Sequence, residues 1–211
     1  MKYDSIIWDL DGTLWDSTDG IIETWNLILK DHPEISRTVT REDMASNFGL
    51  PIRQIGRNMF PETTPEVSDA LMQECGEKEN IYLAEHGGTL FPEETEILER
   101  LAAAAQRGMY IVSNCQTGYI ESFYSGNGLG RFFLDQECMG NTGLSKAENI
   151  RLVMERNGLE APVFIGDTDS DRQAAKESGI DFIHASYGFG DPKEGECAAD
   201  SFKDLLKALG I

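Results

Sequence analysis

The sequence predicts an α/β fold in which a Rossmann-like, doubly wound parallel sheet carries an inserted α-helical cap domain. Two observations predict the sheet: short segments rich in Ile, Val, Trp and Phe lack polar alternation, and helical patterns separate them. A third observation predicts the cap, because a long stretch after the first strand contains several helical patterns and no convincing strand. At 211 residues, 40% of them hydrophobic, the chain suits one such fold with a modest insertion.

Four segments are predicted to form the parallel strands. Each is short and apolar, as expected of a strand that is buried on both faces. One helix has especially clear boundaries, because Ser145 and Glu148 fit a capping box and Gly158 provides a C-terminal stop. The predicted strands span residues 5–10, 109–114, 161–167 and 181–185, and the predicted helix spans residues 145–157.

The predicted cap covers residues 16–87, and the predicted core domain covers residues 1–15 and 88–211. Gly87 and Gly88 are typical of a hinge back to the core. Two apolar stripes at helical spacing predict cap helices that pack on one another. The first stripe contains Ile21, Ile22, Trp25, Ile28 and Leu29, and the second contains Val67, Ala70, Leu71, Cys75 and Tyr82.

The formal net charge of −19 argues against nucleic acid and anionic membranes as partners, since those surfaces are bound by clustered Lys and Arg. The same charge disfavours the approach of a small anion. A site for such a ligand therefore needs local positive charge, from a metal ion or a well-placed lysine. We therefore expect a small molecule as the partner, and we expect the motif residues or a bound metal ion to provide this positive charge.

The chain starts with charged residues and a short apolar run, which predicts neither a signal peptide nor a spanning helix. A cytoplasmic protein is the expectation. Four cysteines lie far apart without CxxC or metal-ligand spacing, which indicates reduced and mostly structural thiols.

The segment Asp9-Leu10-Asp11-Gly12-Thr13 follows the first predicted strand. Ligands of open α/β sheets bind outside the carboxyl ends of the strands, so this is a suitable position for a site. The Asp9 carboxylate can attack a phosphorus centre, and Asp11, two residues later, can protonate the leaving oxygen and then deprotonate water. Gly12 lets the chain turn tightly away from the strand.

A second acidic segment, with Asp167, Asp169 and Asp171, follows a later predicted strand. If both segments lie at one edge of the sheet, their carboxylates crowd and require a cation. Hard oxygen ligands with room for water suit Mg²⁺, which we predict as the cofactor. A calcium loop is the alternative, but its sixth and twelfth positions would be Arg172 and Ser178, where glycine and glutamate are needed.

Two further element ends belong to the candidate site. Ser113 and Asn114 end the second predicted strand, and Lys146 lies at the start of the capped helix. A cation in the first turn of a helix opposes the helix macrodipole, which is explained if both the lysine and the helix terminus face an anion. Phosphate is the natural candidate for that anion.

These four segments, in this order and with a helical insertion directly after the first, resemble the haloacid dehalogenase superfamily. The resemblance is to its phosphoglycolate-phosphatase-like branch with a small helical, C1-type cap, and it covers essentially the whole chain. It implies an Mg²⁺-dependent phosphatase that hydrolyses a small phosphorylated metabolite, a phosphoglycolate-like or sugar phosphate monoester, through an aspartyl phosphate. One departure is Ala147, where relatives often have proline.

The resemblance also implies a role for each motif residue. The nucleophile falls on Asp9 and the acid/base on Asp11. Ser113 matches the Ser or Thr of the second motif, and Lys146 matches the phosphate-binding lysine. The implied metal ligands are Asp9, the backbone carbonyl of Asp11, Asp167 and Asp171, and the implied phosphate contacts include Gly12, Thr13 and Asn114.

Within the cap, Arg53 and Arg57 are candidates for substrate contacts, although exposed helix charges usually serve only solvation. Two alternatives to a phosphatase stay open. A phosphomutase resembling β-phosphoglucomutase would use the same core residues, and a non-catalytic binding protein could keep the fold. Dehalogenation is disfavoured, because an oxygen leaving group needs the acid Asp11 and a halide does not.

Overall fold

The computed structural model describes all 211 residues and contains a single six-stranded sheet. Its strands are β1 (Ser5–Trp8), β2 (Met109–Ser113), β3 (Asp135–Cys138), β4 (Pro162–Gly166), β5 (Asp181–Ala185) and β6 (Ala198–Ala199). They are all parallel and stand in the order β3-β2-β1-β4-β5-β6. The chain winds outward in one direction from β1 to β3 and in the other from β4 to β6, which confirms the predicted doubly wound fold.

Ten α-helices and a short 3-10 helix, Gly130–Phe132, surround or extend the sheet. None of the helices combines the length and the hydropathy that crossing a membrane requires. Five of them lie between β1 and β2 in the chain, and the first four of these are α1 (Thr18–Leu29), α2 (Arg41–Ala45), α3 (Ile52–Met59) and α4 (Pro65–His86). The others are α5 (Glu94–Ala104), α6 (Tyr119–Asn127), α7 (Met139–Thr142), α8 (Lys146–Asn157), α9 (Asp169–Ser178) and α10 (Asp204–Leu209).

The four predicted strands are present, and two more were not predicted. β1 ends at Trp8, two residues earlier than predicted, whereas β5 has the predicted bounds. β3 has the sequence Asp-Gln-Glu-Cys, which carries no apolar strand pattern, and β6 has only two residues. Both are edge strands. Pairing of β3 with β2 and of β6 with β5 makes these segments strands, although their own composition does not predict it.

The two faces of the sheet bury different side chains of the same strand. Ile6 and Trp8 belong to a large hydrophobic core, whereas Ile7 points to the other face and packs in a smaller core with residues of α8 and α9. This alternation is the two-residue period of a strand. Because both faces are covered by helices, β1 is apolar at consecutive positions, as predicted.

Helix α8 has the predicted caps. The Ser145 side chain accepts a hydrogen bond from the Glu148 backbone N–H, the Glu148 side chain returns to the Ser145 backbone, and Gly158 ends the helix with φ 63°. Ser145 is the cap rather than the first helical residue, so the helix begins at Lys146. The capping box thereby fixes where the side chain of Lys146 leaves the backbone.

Helix α4 is the longest element of the insertion and packs on α1, α3 and α6. Leu71 and Cys75 are buried as predicted, but Val67 and Ala70 are exposed. The prediction was therefore wrong for Val67 and Ala70, which lie on the solvent-exposed face of α4. The residues that α4 buries are Ser68, Leu71, Met72, Cys75, Gly76, Glu79 and Leu83.

The two connections between the insertion and the sheet run side by side. Asp16 and Thr89 form an isolated antiparallel bridge, with hydrogen bonds of 2.8 and 2.9 Å between their backbones. Gly87, just before Thr89, has φ 72°, a value that favours glycine. The insertion thus leaves and rejoins the sheet region at a single point.

Candidate active site

The predicted motif residues of the sheet region lie at the carboxyl edge of the sheet. β1 lies between β2 and β4, so Asp9, directly after β1, is flanked by Ser113 at the end of β2 and by Asp167 directly after β4. The N-terminus of α8 brings Lys146 to the same edge. The winding direction reverses between β1 and β4, and open α/β sheets bind ligands in the crevice at such a point.

Lys146 is buried and bridges two carboxylates. Its Nζ donates to Asp9 Oδ1 at 2.7 Å and to Asp171 Oδ1 at 2.5 Å. Burial opposes the charge of the amine, but Asp171 and Asp9 outweigh that effect and raise the pKa of Lys146 above its ordinary value. A fixed positive charge therefore lies beside Asp9 at neutral pH.

Asp9, Asp167 and Asp171 form a buried acidic cluster. One carboxylate oxygen of each lies within 4.8 Å of the others. Burial and then Asp171 raise the pKa of Asp9 to about 7 in spite of Lys146, and burial, Asp171 and Asp9 raise the pKa of Asp167 to about 8. One lysine does not offset three carboxylates at this spacing. Because the donors are hard oxygens, the cluster fits a divalent cation such as Mg²⁺.

Local hydrogen bonds fix the two carboxylates that follow β4. Thr168 caps α9, and both its N–H and its hydroxyl donate to Asp171 Oδ2, at 3.0 and 2.5 Å. The Phe189 N–H donates to Asp167 Oδ2 at 2.7 Å. Each carboxylate thus has its Oδ2 held by a nearby backbone N–H, and Lys146 also holds Oδ1 of Asp171.

The third aspartate of this segment points elsewhere. The side chain of Asp169 is 72% exposed and pairs with Arg172 and Lys193. A calcium loop of this spacing would need Asp169 to converge with Asp167 and Asp171. The orientation of Asp169 therefore argues against that alternative.

Asp11 is held by three side chains that were not predicted. Trp15 Nε1, Ser17 Oγ and Tyr119 OH donate to Asp11 Oδ1 at 2.9, 2.8 and 2.9 Å. Burial raises the pKa of Asp11, and the three hydrogen bonds oppose that rise. Since all three donors engage Oδ1, the other oxygen stays available. Tyr119 lies on α6, 108 residues along the chain, so its proximity has no local sequence signal.

Gly12 and Thr13 lie against Asp167. Gly12 has φ 76°, and a Cβ at this position would lie 2.2 Å from Asp167 Oδ2, so the close approach requires glycine. Thr13 Oγ1 is 3.5 Å from Asp167 Oδ1, and the Thr13 carbonyl accepts from Tyr187 OH at 3.0 Å. Both residues shape the surroundings of the acidic cluster.

Ser113 and Asn114 border a cavity at the sheet edge. The Ser113 hydroxyl accepts from the Cys115 N–H at 3.3 Å. Asn114 Nδ2 donates to the Gly49 carbonyl of the insertion at 2.8 Å, while its buried Oδ1 has no hydrogen-bond partner. Asn114 therefore connects the insertion to the sheet and keeps one unused acceptor.

Arg53 and Arg57 lie outside this cavity. Arg53 is exposed, and Arg57 Nη2 donates to Asp69 Oδ1 on α4 at 2.9 Å. Helix α3 turns Ile52 and Ile55 toward the cavity instead. The structure thus does not bring the two arginines to the acidic cluster.

The cavity has a volume of about 50 Å³ and separates the sheet edge from the insertion. On the sheet side it is bordered by Asp9, Asp11 and Lys146 as well as by Ser113 and Asn114. On the insertion side its wall is almost entirely apolar. The apolar residues of that side are Ile21, Trp25, Met44, Phe48, Leu50, Ile52 and Ile55.

Glu79 on α4 is the one carboxyl group that the insertion contributes to the cavity wall. The residue is 2% exposed, one of its oxygens accepts from Trp25 Nε1, and the other accepts from Gln116 Nε2 at 2.5 Å. Burial raises the pKa of Glu79 to about 8, although both hydrogen bonds act against the rise. Its spacing of four residues from buried Cys75 and Leu83 is the signal that marks it as an inward-facing position.

Comparison with known proteins identifies relatives over nearly the whole chain. Residues 6–185 match the family model of haloacid dehalogenase-like hydrolases. The chain is 27% identical, over 222 residues, to a phosphoglycolate phosphatase of Pectobacterium atrosepticum, with 97% of this chain and 92% of the relative covered. It is 26% identical, over 228 residues, to a phosphoglycolate phosphatase of Aliivibrio fischeri, with 98% and 96% covered.

A solved structure has the same fold. The haloacid dehalogenase-like family hydrolase of Streptococcus pneumoniae superposes with a TM-score of 0.85 at 21% identity, and 99% of each chain is covered. The family match spans both acidic segments and the lysine that meet at the sheet edge. The chain therefore belongs to the haloacid dehalogenase-like hydrolase family.

Proposed function

We propose that this phosphatase hydrolyses a small phosphate monoester with the help of Mg²⁺, through an aspartyl phosphate on Asp9. The observation that carries the proposal is the buried contact between Lys146 and Asp9. Asp9 belongs to the acidic cluster and precedes Asp11 by two residues. A nucleophile, an acid/base and a positive charge for the phosphoryl oxygens thereby meet at one cavity.

In the first half-reaction, an Asp9 carboxylate oxygen forms a bond to phosphorus while the ester P–O bond breaks. The leaving alcohol oxygen takes a proton from the Asp11 carboxyl group. The charge of Lys146 stabilises the phosphoryl oxygens as negative charge develops on them. The three donors on Asp11 Oδ1 orient this carboxyl group and leave its other oxygen for proton transfer.

In the second half-reaction, Asp11, now a carboxylate, takes a proton from water. The water oxygen bonds to phosphorus, and the bond between phosphorus and Asp9 breaks. Inorganic phosphate leaves, and both aspartates return to their starting states. One residue thus acts first as the acid and then as the base.

The residues proposed to hold Mg²⁺ are Asp9, Asp167 and Asp171 with the backbone carbonyl of Asp11. When bound, the ion would neutralise the clustered carboxylates and attract the anionic ester. The raised pKa values of Asp9 and Asp167 support this assignment, because burial and then the neighbouring carboxylates disfavour their negative charge, which a bound cation would offset.

We also propose that residues 16–87 act as a cap over a core formed by residues 1–15 and 88–211. The paired connections at Asp16 and Thr89 support this division. A contact between the insertion and the proposed core supports a role in covering the site: the ring of Phe48, which lines the cavity, stacks on Phe189 with centroids 3.8 Å apart and an angle of 11°.

Phosphate release from small monoesters in the presence of Mg²⁺ tests the proposal. Wild type should release inorganic phosphate, and Asp9→Asn should lose activity by on the order of 10³-fold or more. Inorganic phosphate as the product separates a phosphatase from a phosphomutase, which would accumulate an isomerised sugar phosphate. Full activity in Asp9→Asn would disprove the assignment of Asp9 as the nucleophile.

A further inference from the structure

We infer that Glu79 determines which alcohols the enzyme accepts: it favours phosphate esters of short alcohols that end in a hydrogen-bond donor and disfavours those that carry a second anion. The inference rests on the proposed phosphatase function. The donor is a hydroxyl or an ammonium group, either of which a carboxyl group can bind.

Glu79 faces the reacting groups from the insertion side. It borders the same cavity as Asp9 and Lys146, and it is 2% exposed. The cavity has a volume of about 50 Å³. One water needs a cavity of about 10–15 Å³, so this cavity has room for only a few groups of the size of a water molecule. A short alcohol whose phosphate is held near Asp9 therefore lies in the same small cavity that Glu79 borders.

The charges around the cavity disfavour a second anion. Lys146 is the only cationic side chain in the wall, and it is already paired with Asp9 and Asp171. The basic residues considered in the insertion, Arg53 and Arg57, lie outside the cavity. A carboxylate on the alcohol would lose its hydration without gaining a free cationic partner, and above about pH 8, where Glu79 is ionised, it would also face a like charge.

Unused acceptors favour a donor on the alcohol. Trp25 and Gln116 each occupy one lone pair of a Glu79 oxygen, and each oxygen keeps another. Asn114 is 9% exposed, and its Oδ1 is buried without a partner. A buried acceptor without a donor is unfavourable, and a hydroxyl or ammonium group would satisfy it.

A purely structural role for Glu79 would have a different consequence for substrate preference. The hydrogen bond to Gln116 joins α4 to the segment after β2, so a substitution can also affect packing. A ratio of two substrates, measured on one protein preparation, does not depend on how much of that preparation is folded. The ratio is therefore the decisive quantity.

Three esters of equal chain length provide the test: 2-aminoethyl phosphate, 2-hydroxyethyl phosphate and phosphoglycolate. We expect wild-type kcat/KM at about pH 8.5 to be roughly tenfold or more higher for at least one of the two donor-bearing esters than for phosphoglycolate. Glu79→Gln has the same shape without the charge and should narrow that ratio roughly tenfold. Glu77→Gln, on the exposed side of α4, is the control and should keep the wild-type ratio.

Whichever of the two donor-bearing esters has the higher kcat/KM identifies the preferred donor as an ammonium or a hydroxyl group. Phosphoglycolate as the best of the three substrates would overturn the inference, and so would an unchanged ratio in Glu79→Gln, while both results leave the phosphatase proposal intact. Hydrolysis of none of these esters, nor of 4-nitrophenyl phosphate, would overturn both.

Discussion

The amine of Lys146 lies 2.7 Å from Asp9 Oδ1, and both side chains are nearly inaccessible to solvent. Two structural features produce this contact: β1 ends directly before Asp9, and the capping box of α8 places Lys146 in the first helical position. The same amine reaches Asp171, so one lysine balances charge on two segments that are far apart in sequence.

Lys146→Gln should therefore reduce both activity and stability. We expect kcat/KM to fall about 10²–10³-fold, as for the loss of one preorganised electrostatic contact. Without Mg²⁺, the free energy of unfolding should fall by roughly 3–5 kcal/mol, because two buried carboxylates lose their partner. Steady-state kinetics and denaturant unfolding measure the two effects. Lys176→Gln, at an exposed lysine of α9, should change neither, and near-normal activity in Lys146→Gln would refute the assigned role.

Tyr119→Phe tests the hydrogen bonds that hold Asp11. The hydroxyl of Tyr119 lowers the pKa of Asp11, so its removal should raise that pKa and move the alkaline limb of the kcat/KM profile to higher pH. We expect kcat to fall roughly tenfold, a part of the 10²–10⁴-fold that a general acid contributes.

The matched control for this experiment is Tyr124→Phe. Tyr124 lies on the same helix and packs its ring against Phe133, 5.8 Å between centroids. Its pH profile should match that of wild type. Coinciding profiles for Tyr119→Phe and wild type would mean that Tyr119 does not act on Asp11.

Metal removal should abolish activity, and Mg²⁺ should restore it. Asp167→Asn should weaken Mg²⁺ binding in calorimetry by roughly 10-fold or more, because it removes one of the proposed carboxylate ligands. Mg²⁺ should also raise the Tm of wild type, since the folded protein alone presents the cluster. Asp169→Asn removes the neighbouring exposed carboxylate and should bind Mg²⁺ normally. Turnover that persists in chelator would be incompatible with the proposed cofactor.

The stability of wild type should depend on pH through Glu79. Its pKa in the folded state, about 8, lies above the ordinary value of 4.5, so the folded state holds a proton that the unfolded state has lost between these values. The contribution of Glu79 to stability is therefore most favourable below about pH 4.5 and declines toward pH 8, by about 1.4 kcal/mol per pH unit for one proton.

Glu79→Gln removes this titration and leaves the other groups in place. The difference in unfolding free energy between wild type and Glu79→Gln should thus shift in favour of the variant as pH rises through this window. Denaturant unfolding at several pH values measures the difference. A difference that is constant with pH would show that Glu79 titrates normally.

The positions of the residues at the sheet edge could be predicted from the sequence, because each of them adjoins a strong local pattern. Asp9 and Asp167 directly follow apolar strands, and Lys146 follows a capping serine. Parallel strands bring their carboxyl ends to one edge, so the order of the motifs already implied that these groups meet. Their catalytic roles stay predictions, which the experiments above address.

Other features depend on tertiary structure. Tyr119 and Glu79 reach the site from α6 and α4. The four-residue spacing from Cys75 and Leu83 places Glu79 on the buried face of α4, but no local pattern places that face against the sheet edge. Rotation also explains Arg53 and Arg57: α3 buries Ile55 and Met59, so the arginines, four residues apart, share its exposed face. Strand β3 is polar and depends on pairing with β2.

Trapping of the phosphorylated enzyme tests whether Asp9 is the nucleophile. Wild type, Asp9→Asn and Asp11→Asn would be mixed with an ester labelled in its phosphoryl group, quenched in acid within milliseconds and analysed by peptide mass spectrometry. We expect label on Asp9 in wild type and none in Asp9→Asn. In Asp11→Asn, an ester with a good leaving group should leave label on Asp9 for longer, because the base for hydrolysis is missing. Turnover in Asp9→Asn, or label on any other residue, would contradict the assignment of Asp9 as the nucleophile.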